Sequence, residues 1–253
     1  MDAPKIVIVD DYAAMGRAAA DILVATVERA PRAAISVPTG STPVGMFDEV
    51  LARVEAGACD LSRIHLFCLD EYIGVTADDP NSLTGWLART FLDRSGIPAH
   101  HIHPLPSTAP DLAAAASAYE AEIARHGGLE LAVLGLGGNG HIAYNEPGST
   151  GDSRTRVLSL TQESIAQAAG YFEGRSVPTE AMTVGIGTLL EARNLVLIVS
   201  GAAKADVFAR ALHGPQTPDL PASFLQNAFV RLTVIADRPA AAHLHQSPHR
   251  GIS

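Results

Sequence analysis

The sequence predicts an α/β fold, with a mainly parallel sheet and helices on both of its faces. Short apolar, β-rich runs alternate with longer segments of helical period, the pattern of strands joined by crossover helices. The runs are apolar almost without interruption, as strands are when both faces of their sheet are covered. With 253 residues, 47% hydrophobic and 18% charged, the chain has enough apolar surface for one large core.

Taken in order, Lys5 opens a strand over 5–9, and an alanine-rich periodic stretch predicts a helix over 13–29. A strand over 33–37 leads through Thr39-Gly40-Ser41-Thr42-Pro43 into a helix over 43–55. Pro43 suits the first helical position there, and Ser41 or Thr42 the N-cap. A strand over 64–69 delivers the chain into Asp70-Glu71-Tyr72, and helices follow over 83–94 and 112–126, the second rich in alanine filler. A strand over 129–134 runs into a glycine loop. Strands over 182–185, 195–200 and 232–236 complete the set, with a helix over 204–212 opened by Lys204. No repeat or low-complexity linker divides the chain, so one domain is expected over residues 1–253. The tail from about 239 lacks an apolar period and is expected to pack loosely.

Composition excludes several classes of function. A net charge of −9 argues against nucleic acid or an anionic membrane as partner. The first residues carry no basic segment followed by an apolar one, and no run approaches the length of a membrane span. Cys59 and Cys68 give no disulfide framework, which suits a reducing compartment. A cytoplasmic protein is expected.

Ligands in open α/β sheets gather beyond the carboxyl ends of the strands, and three such ends carry polar groups. Leu134-Gly-Leu-Gly137-Gly-Asn139-Gly-His141-Ile-Ala-Tyr-Asn-Glu146-Pro147 joins a tight glycine turn to an imidazole and a carboxylate. Its G-x-G-x-x-G spacing imitates a dinucleotide fingerprint. That motif also needs a helix at its end, and Asn145-Glu-Pro147-Gly148 breaks one, so no nucleotide cofactor is expected. The Gly40-Ser41-Thr42 turn is either an anion site built from helix N–H groups or an ordinary capped turn. Asp70 and Glu71 are costly to bury unless paired or used; alternatively, one of them caps the following segment. His141 is either a proton-transfer group or a structural histidine. Lys204 either neutralises a phosphate or is a solvated helix cation. His100-His101-x-His103 lies among prolines without helical ligand spacing or a nearby carboxylate, and reads as a surface loop with no metal. His243 and His245 belong to the tail.

Thr39-Gly-Ser-Thr-Pro43, Leu69-Asp-Glu-Tyr72, Gly138-Asn-Gly-His141, Asn145-Glu-Pro147, Ser153-Arg-Thr-Arg156 and Thr183-Val-Gly-Ile-Gly-Thr188 occur in that order. Together they resemble the glucosamine-6-phosphate deaminase/isomerase family, which is related to the 6-phosphogluconolactonases. The resemblance runs from about Val37 to Ala236. It implies a Rossmann-like fold and conversion of glucosamine 6-phosphate and water to fructose 6-phosphate and ammonia, without a cofactor. It further implies that Asp70 is the base moving a proton between C2 and C1, that His141 assists ring opening, and that Glu146 orients it. Gly40, Ser41, Thr42 and Lys204 match phosphate contacts, and Glu71 and Gly137 fall within the substrate-binding motifs.

The chain departs from that pattern in places. Asn139 stands where the family usually has aspartate, so an amide rather than a charge is expected to hold the imidazole. Asn139, with Pro221-Ala-Ser-Phe-Leu225, resembles the branch acting on galactosamine 6-phosphate, which gives tagatose 6-phosphate. Gly170 stands where the family has a lid arginine, with Arg175 as a substitute. The pattern of the activated hexameric members is incomplete: Ser149 and Arg156 are present, but Leu158 holds the lysine position and no tyrosine follows Ala236. Homo-oligomerisation is left open. Lactone hydrolysis and non-catalytic sugar-phosphate sensing are the alternative readings.

Overall fold

The computed structural model describes residues 3–170, 172 and 175–246. Its centre is a seven-stranded, wholly parallel sheet. In chain order the strands are β1 (Lys5–Val9), β2 (Ala34–Val37), β3 (His65–Cys68), β5 (Ile102–His103), β6 (Leu131–Leu134), β9 (Asn194–Val199) and β10 (Leu232–Asp237). Across the sheet they run β1-β10-β9-β6-β2-β3-β5. The chain works outward from β2 through β3 to β5, then returns to the other side of β2 with β6. That reversal between β2 and β6 is where an open sheet splays its crossover connections and leaves a crevice.

Alternating side chains on the buried strands feed two cores. Leu131 and Val133 face one and Ala132 and Leu134 the other; Val196 and Ile198 oppose Leu195, Leu197 and Val199. The first core is closed by α1 (Tyr12–Arg29), α2 (Val44–Glu55) and α3 (Leu83–Leu87), which continues through a π-type turn over Ala88–Leu92 into α4 (Asp93–Ser95). The second is closed by α5 (Leu112–Arg125), α7 (Ile186–Leu190), α8 (Ala205–His213) and the 3₁₀ segment Pro221–Arg231. β1 departs from the expectation of two covered faces: it is an edge strand, and Ile6 and Ile8 remain exposed.

Beyond the parallel sheet lies a separate antiparallel one, β4-β8-β7, made of β4 (Asp70–Tyr72), β8 (Glu180–Thr183) and β7 (Arg156–Ser159). The strand expected over 182–185 belongs here rather than to the parallel sheet. Its residues pair with Asp70–Tyr72 on one side and Arg156–Ser159 on the other. Leu69 is the hinge between the sheets; its carbonyl accepts the Val184 N–H at 2.8 Å as the chain leaves β3 for β4. Helix α6 (Gln162–Ala169) packs on the small sheet around Tyr72, Leu160, Ala168, Phe172 and Ala181.

The described part of the tail, as far as Leu244, is better packed than its composition suggests. Ala240, Ala241 and Leu244 are buried in a 3₁₀ turn over Ala240–Gln246, and the Ala240 N–H is held by Asp237. His243 Nδ1 meets Asp206 at 2.6 Å; residues 247–253 and the His245 side chain lie outside the described residues. Among the described residues no helix is long and apolar enough to cross a membrane.

Candidate active site

A cavity of about 610 Å³ opens over the carboxyl ends of β2, β6 and β9, roofed by the small sheet and α6. Gly40, Ser41, Thr42, Asp70, Gly137, His141 and Lys204 all line it. Motifs spread over much of the chain therefore converge where the strand order reverses.

The 38–42 turn forms because β2 ends just before Pro38 and Gly40 takes a left-handed conformation, φ +91°, open to glycine. The expected cap differs in detail. Helix α2 begins at Val44 with Pro43 in the N-cap position, and neither Ser41 nor Thr42 caps it. Tyr12 ties the turn down from α1, accepting the Gly45 N–H at 2.8 Å and donating to the Ser41 carbonyl at 2.9 Å. Both hydroxyl residues are thus left on the cavity wall. Across from them, Lys204 ends a 3₁₀ turn, Ala202–Lys204, and takes the N-cap position of α8 rather than opening it. Burial lowers the pKa of its amine, and Glu163 counters that in part.

Asp70 and Glu71 separate by the ordinary alternation of a strand. Asp70 is buried and lines the cavity, and its Oδ1 has no hydrogen-bond partner among the described residues. Burial first, and the neighbouring Glu71 second, push its carboxyl up to about 7. Glu71 does not reach the cavity, which corrects its expected substrate contact. Its carboxylate accepts from the N–H groups of Tyr72, Leu83 and Thr84 at 2.9, 3.0 and 2.9 Å and from Ser82 Oγ at 2.7 Å. It is the anion at the start of α3, where N–H groups converge.

The glycine loop seats His141. Its backbone closes on Gly137, whose N–H donates to the His141 carbonyl at 2.9 Å. The imidazole lies against Gly137 itself, where a Cβ would come within 2.5 Å of three ring atoms. Ala143 holds φ 49° in the same loop, the one described non-glycine residue in the left-handed region. His141 Nδ1 faces Glu146 Oε2 at 3.5 Å, an ion-pair separation too long for a strong hydrogen bond. Asn139 does not hold the imidazole as expected. Its Nδ2 donates to Glu146 Oε2 at 2.8 Å, and its Oδ1 accepts the backbone N–H of His141 at 3.1 Å. Thr161 donates to the other Glu146 oxygen from its N–H and hydroxyl, both at 3.2 Å. Burial would raise the Glu146 carboxyl, but His141, Ser164 and Asn139 outweigh it and hold it at about 2. Glu146 and Asn139 therefore stand behind the imidazole rather than on the cavity wall.

Arg175, the expected substitute for the lid arginine, is turned to Asp79 in this structure. It pairs with Asp79 through both nitrogens, at 3.1 and 3.0 Å, and does not line the cavity. The second cation on the wall is Arg89, which sequence reasoning missed. It sits in the π-type turn after α3 and donates to the Pro80 carbonyl at 2.7 Å. A lone arginine in a short helical segment gives no signal of its own.

His100-His101-x-His103 is not the free surface loop expected. It forms a 3₁₀ turn and the edge strand β5, and it brings His101 and His103 against His65. Burial and the neighbouring imidazoles pull His65 and His103 down to about 4.

A family model described as glucosamine-6-phosphate isomerases/6-phosphogluconolactonase matches residues 10–234. A glucosamine-6-phosphate deaminase of Rhodopirellula baltica is 40% identical over 241 residues, 95% of this chain and 96% of that protein. One from Cutibacterium acnes is 40% identical over 241 residues, 95% of this chain and 92% of that protein. A solved structure described as a monomeric glucosamine-6-phosphate deaminase superposes with a TM-score of 0.90 at 32% identity, covering 94% of this chain and 99% of that one. A 6-phosphogluconolactonase from Trypanosoma cruzi shares the fold, with a TM-score of 0.73 at 23% identity over 95% of this chain and 97% of that one. By its sequence over nearly its whole length, the chain belongs to the glucosamine-6-phosphate isomerase/6-phosphogluconolactonase family.

Proposed function

We propose that the protein is a glucosamine-6-phosphate deaminase, converting its substrate and water to fructose 6-phosphate and ammonia. The observation that carries the reading is Asp70: a buried carboxyl, its Oδ1 without a partner among the described residues, pushed up to about 7, on the same cavity wall as an imidazole backed by a carboxylate. A base of that strength gains and loses a proton readily near neutral pH. In this reading the Gly40–Thr42 turn and Lys204 hold the phosphate, and His141 gives a proton to the ring oxygen as the sugar opens. Asp70 then takes the C2 proton to give an enolamine and returns a proton at C1. The resulting imine at C2 is hydrolysed, releasing ammonia. Every step is a proton transfer or hydration, so no redox cofactor is called for.

The gluco epimer is favoured because the near-full-length relatives at 40% identity are glucosamine-6-phosphate deaminases. Neither of the two galacto-like features lines the cavity: Asn139 stands behind the imidazole on Glu146, and in Pro221–Leu225 the Ala222 N–H braces the glycine loop at the Gly140 carbonyl, 2.9 Å. The test is ammonia release from glucosamine 6-phosphate against galactosamine 6-phosphate, with 6-phosphogluconolactone hydrolysis measured in parallel. Faster lactone opening than ammonia release, or binding without turnover, overturns the proposal.

A further inference from the structure

On the face of the sheet covered by α5, away from the cavity, histidines from three elements converge. His65 opens β3, His103 ends β5, and His126 is the C-cap of α5. His65 Nδ1 and His103 Nε2 are 3.0 Å apart, and one nitrogen from each of the three rings lies within 4.8 Å of the others. The His101 ring centroid is 4.2 Å from that of His65, and its Nδ1 is buried without a hydrogen-bond partner among the described residues. Glu122 Oε1 stands 3.0 Å from His126 Nε2, while its other oxygen pairs with Arg125.

Packing alone needs imidazole rings in contact; it does not need their nitrogens to converge. Tetrahedral ligands at about 2.1 Å from a zinc ion lie about 3.4 Å from one another, a separation that falls between the 3.0 Å of the His65–His103 pair and the 4.8 Å limit on the three nitrogens. Neutral imidazoles suit borderline divalent ions of the first transition row, and a nearby carboxylate offsets the charge such an ion brings. We propose that His65, His103 and His126 form a binding site for a divalent transition-metal ion of the zinc class, with Glu122 as the adjoining carboxylate. Binding needs one proton to change place. The N–H shared between His65 and His103 moves to the far nitrogen of its own ring, freeing both facing nitrogens as ligands.

The role that follows is structural. β5 is a two-residue edge strand with only two paired positions on β3. A metal would tie it and the end of α5 to β3. The site is separate from the catalytic one: none of His65, His103 and His126 lines the cavity.

The experiment uses the full chain freed of metal by a chelator. Cobalt(II) is titrated in while its visible absorption bands and the melting temperature are followed, and zinc is then added in competition. The expected result is one saturable equivalent that zinc displaces and that raises the melting temperature. His126→Gln and His103→Gln should each weaken binding by about tenfold or more, while His243→Gln in the tail should not change it. Circular dichroism of each variant shows whether it is folded, and His126→Gln, at a helix end, keeps the test open if His103→Gln is not. Absence of saturable binding in the parent chain, or equal binding by the parent and folded His126→Gln, overturns the proposal.

Discussion

Asp70 and Glu71 are adjacent in one short strand, yet their carboxylates serve opposite purposes. Asp70 lines the cavity, its buried Oδ1 without a hydrogen-bond partner among the described residues, and Glu71 turns its carboxylate into the start of α3, where four donors hold it. Substitution should separate the two. Asp70→Asn should lower kcat by about 10²-fold or more with little change in KM, and should abolish exchange of the substrate C2 proton with solvent deuterium. Glu71→Gln should mainly cost stability, about 1–3 kcal/mol, because a charged acceptor of several buried donors is lost. Undiminished C2 exchange in Asp70→Asn would remove Asp70 from the role of base.

The position of the Asp70 carboxyl at about 7 gives activity and stability opposite pH dependences. As a base Asp70 acts ionised, so kcat/KM should rise with pH through about 7. Its folded-state pKa lies above the unfolded value, so its contribution to stability is fully present below the unfolded pKa and lost as pH rises through about 7. Asp70→Asn should therefore melt higher than the parent at pH 8, with the two converging toward pH 4. For a chain of this length each kcal/mol corresponds to about 2–4 °C. A variant that melts lower at pH 8 than the parent contradicts the burial argument.

Gly137→Ala tests the seat of His141. The added Cβ falls 2.5 Å from ring atoms, so the imidazole must leave its place opposite Glu146. Misplacement by about 1 Å is enough to cost about 10²-fold in rate. We expect a large fall in kcat in a protein whose circular dichroism is unchanged. A fully active variant would show that the ring works from another position.

The strands β2, β6, β9 and β10 were legible in the sequence because apolar residues on both faces leave a continuous run. The small sheet was not. β4 is Asp-Glu-Tyr, β7 is a four-residue, partly exposed strand, and neither has a period long enough to read. With its partners hidden, β8 was assigned to the parallel sheet by its apolar content alone. The candidate site followed the same rule. That Asp70, His141 and Lys204 belong near strand ends follows from local spacing. That Glu71 turns away, that Asn139 reaches Glu146 rather than the imidazole, and that Arg89 joins the wall depend on tertiary distances that no motif encodes.

Lys204 and Arg89 are both cations on the cavity wall, and their substitution should grade the phosphate contact. Lys204 is partly buried and, among the described residues, feels Glu163 without forming an ion pair with it, so Lys204→Ala should raise KM by about tenfold or more, with a smaller effect on kcat. It should also weaken the preference for the phosphorylated sugar over glucosamine. Arg89 is more exposed and already donates to Pro80, so Arg89→Ala should act in the same direction but less. An unchanged preference in both variants places the phosphate elsewhere.

The last prediction concerns activation by N-acetylglucosamine 6-phosphate, which the resemblance associates with hexameric members of the family. In this chain the arginine of that pattern is already engaged. Arg156 donates to Asn145 Oδ1 at 2.9 Å and to Ser149 Oγ at 2.7 Å. Asn145 in turn donates to the Ile142 and Val184 carbonyls, so Arg156 braces the loop that carries His141 and Glu146. At the lysine position Leu158 packs with the apolar cluster of the small sheet. An incoming phosphate would find one cation where the pattern has two, a deficit of about 1–3 kcal/mol, comparable to an entire allosteric coupling energy. Rates should therefore depend hyperbolically on substrate and be indifferent to N-acetylglucosamine 6-phosphate. Arg156→Ala should lower kcat and melting temperature together, through the loop, without changing the shape of the curve. Sigmoidal rates that become hyperbolic on adding that compound would show that the pocket is assembled from residues other than these.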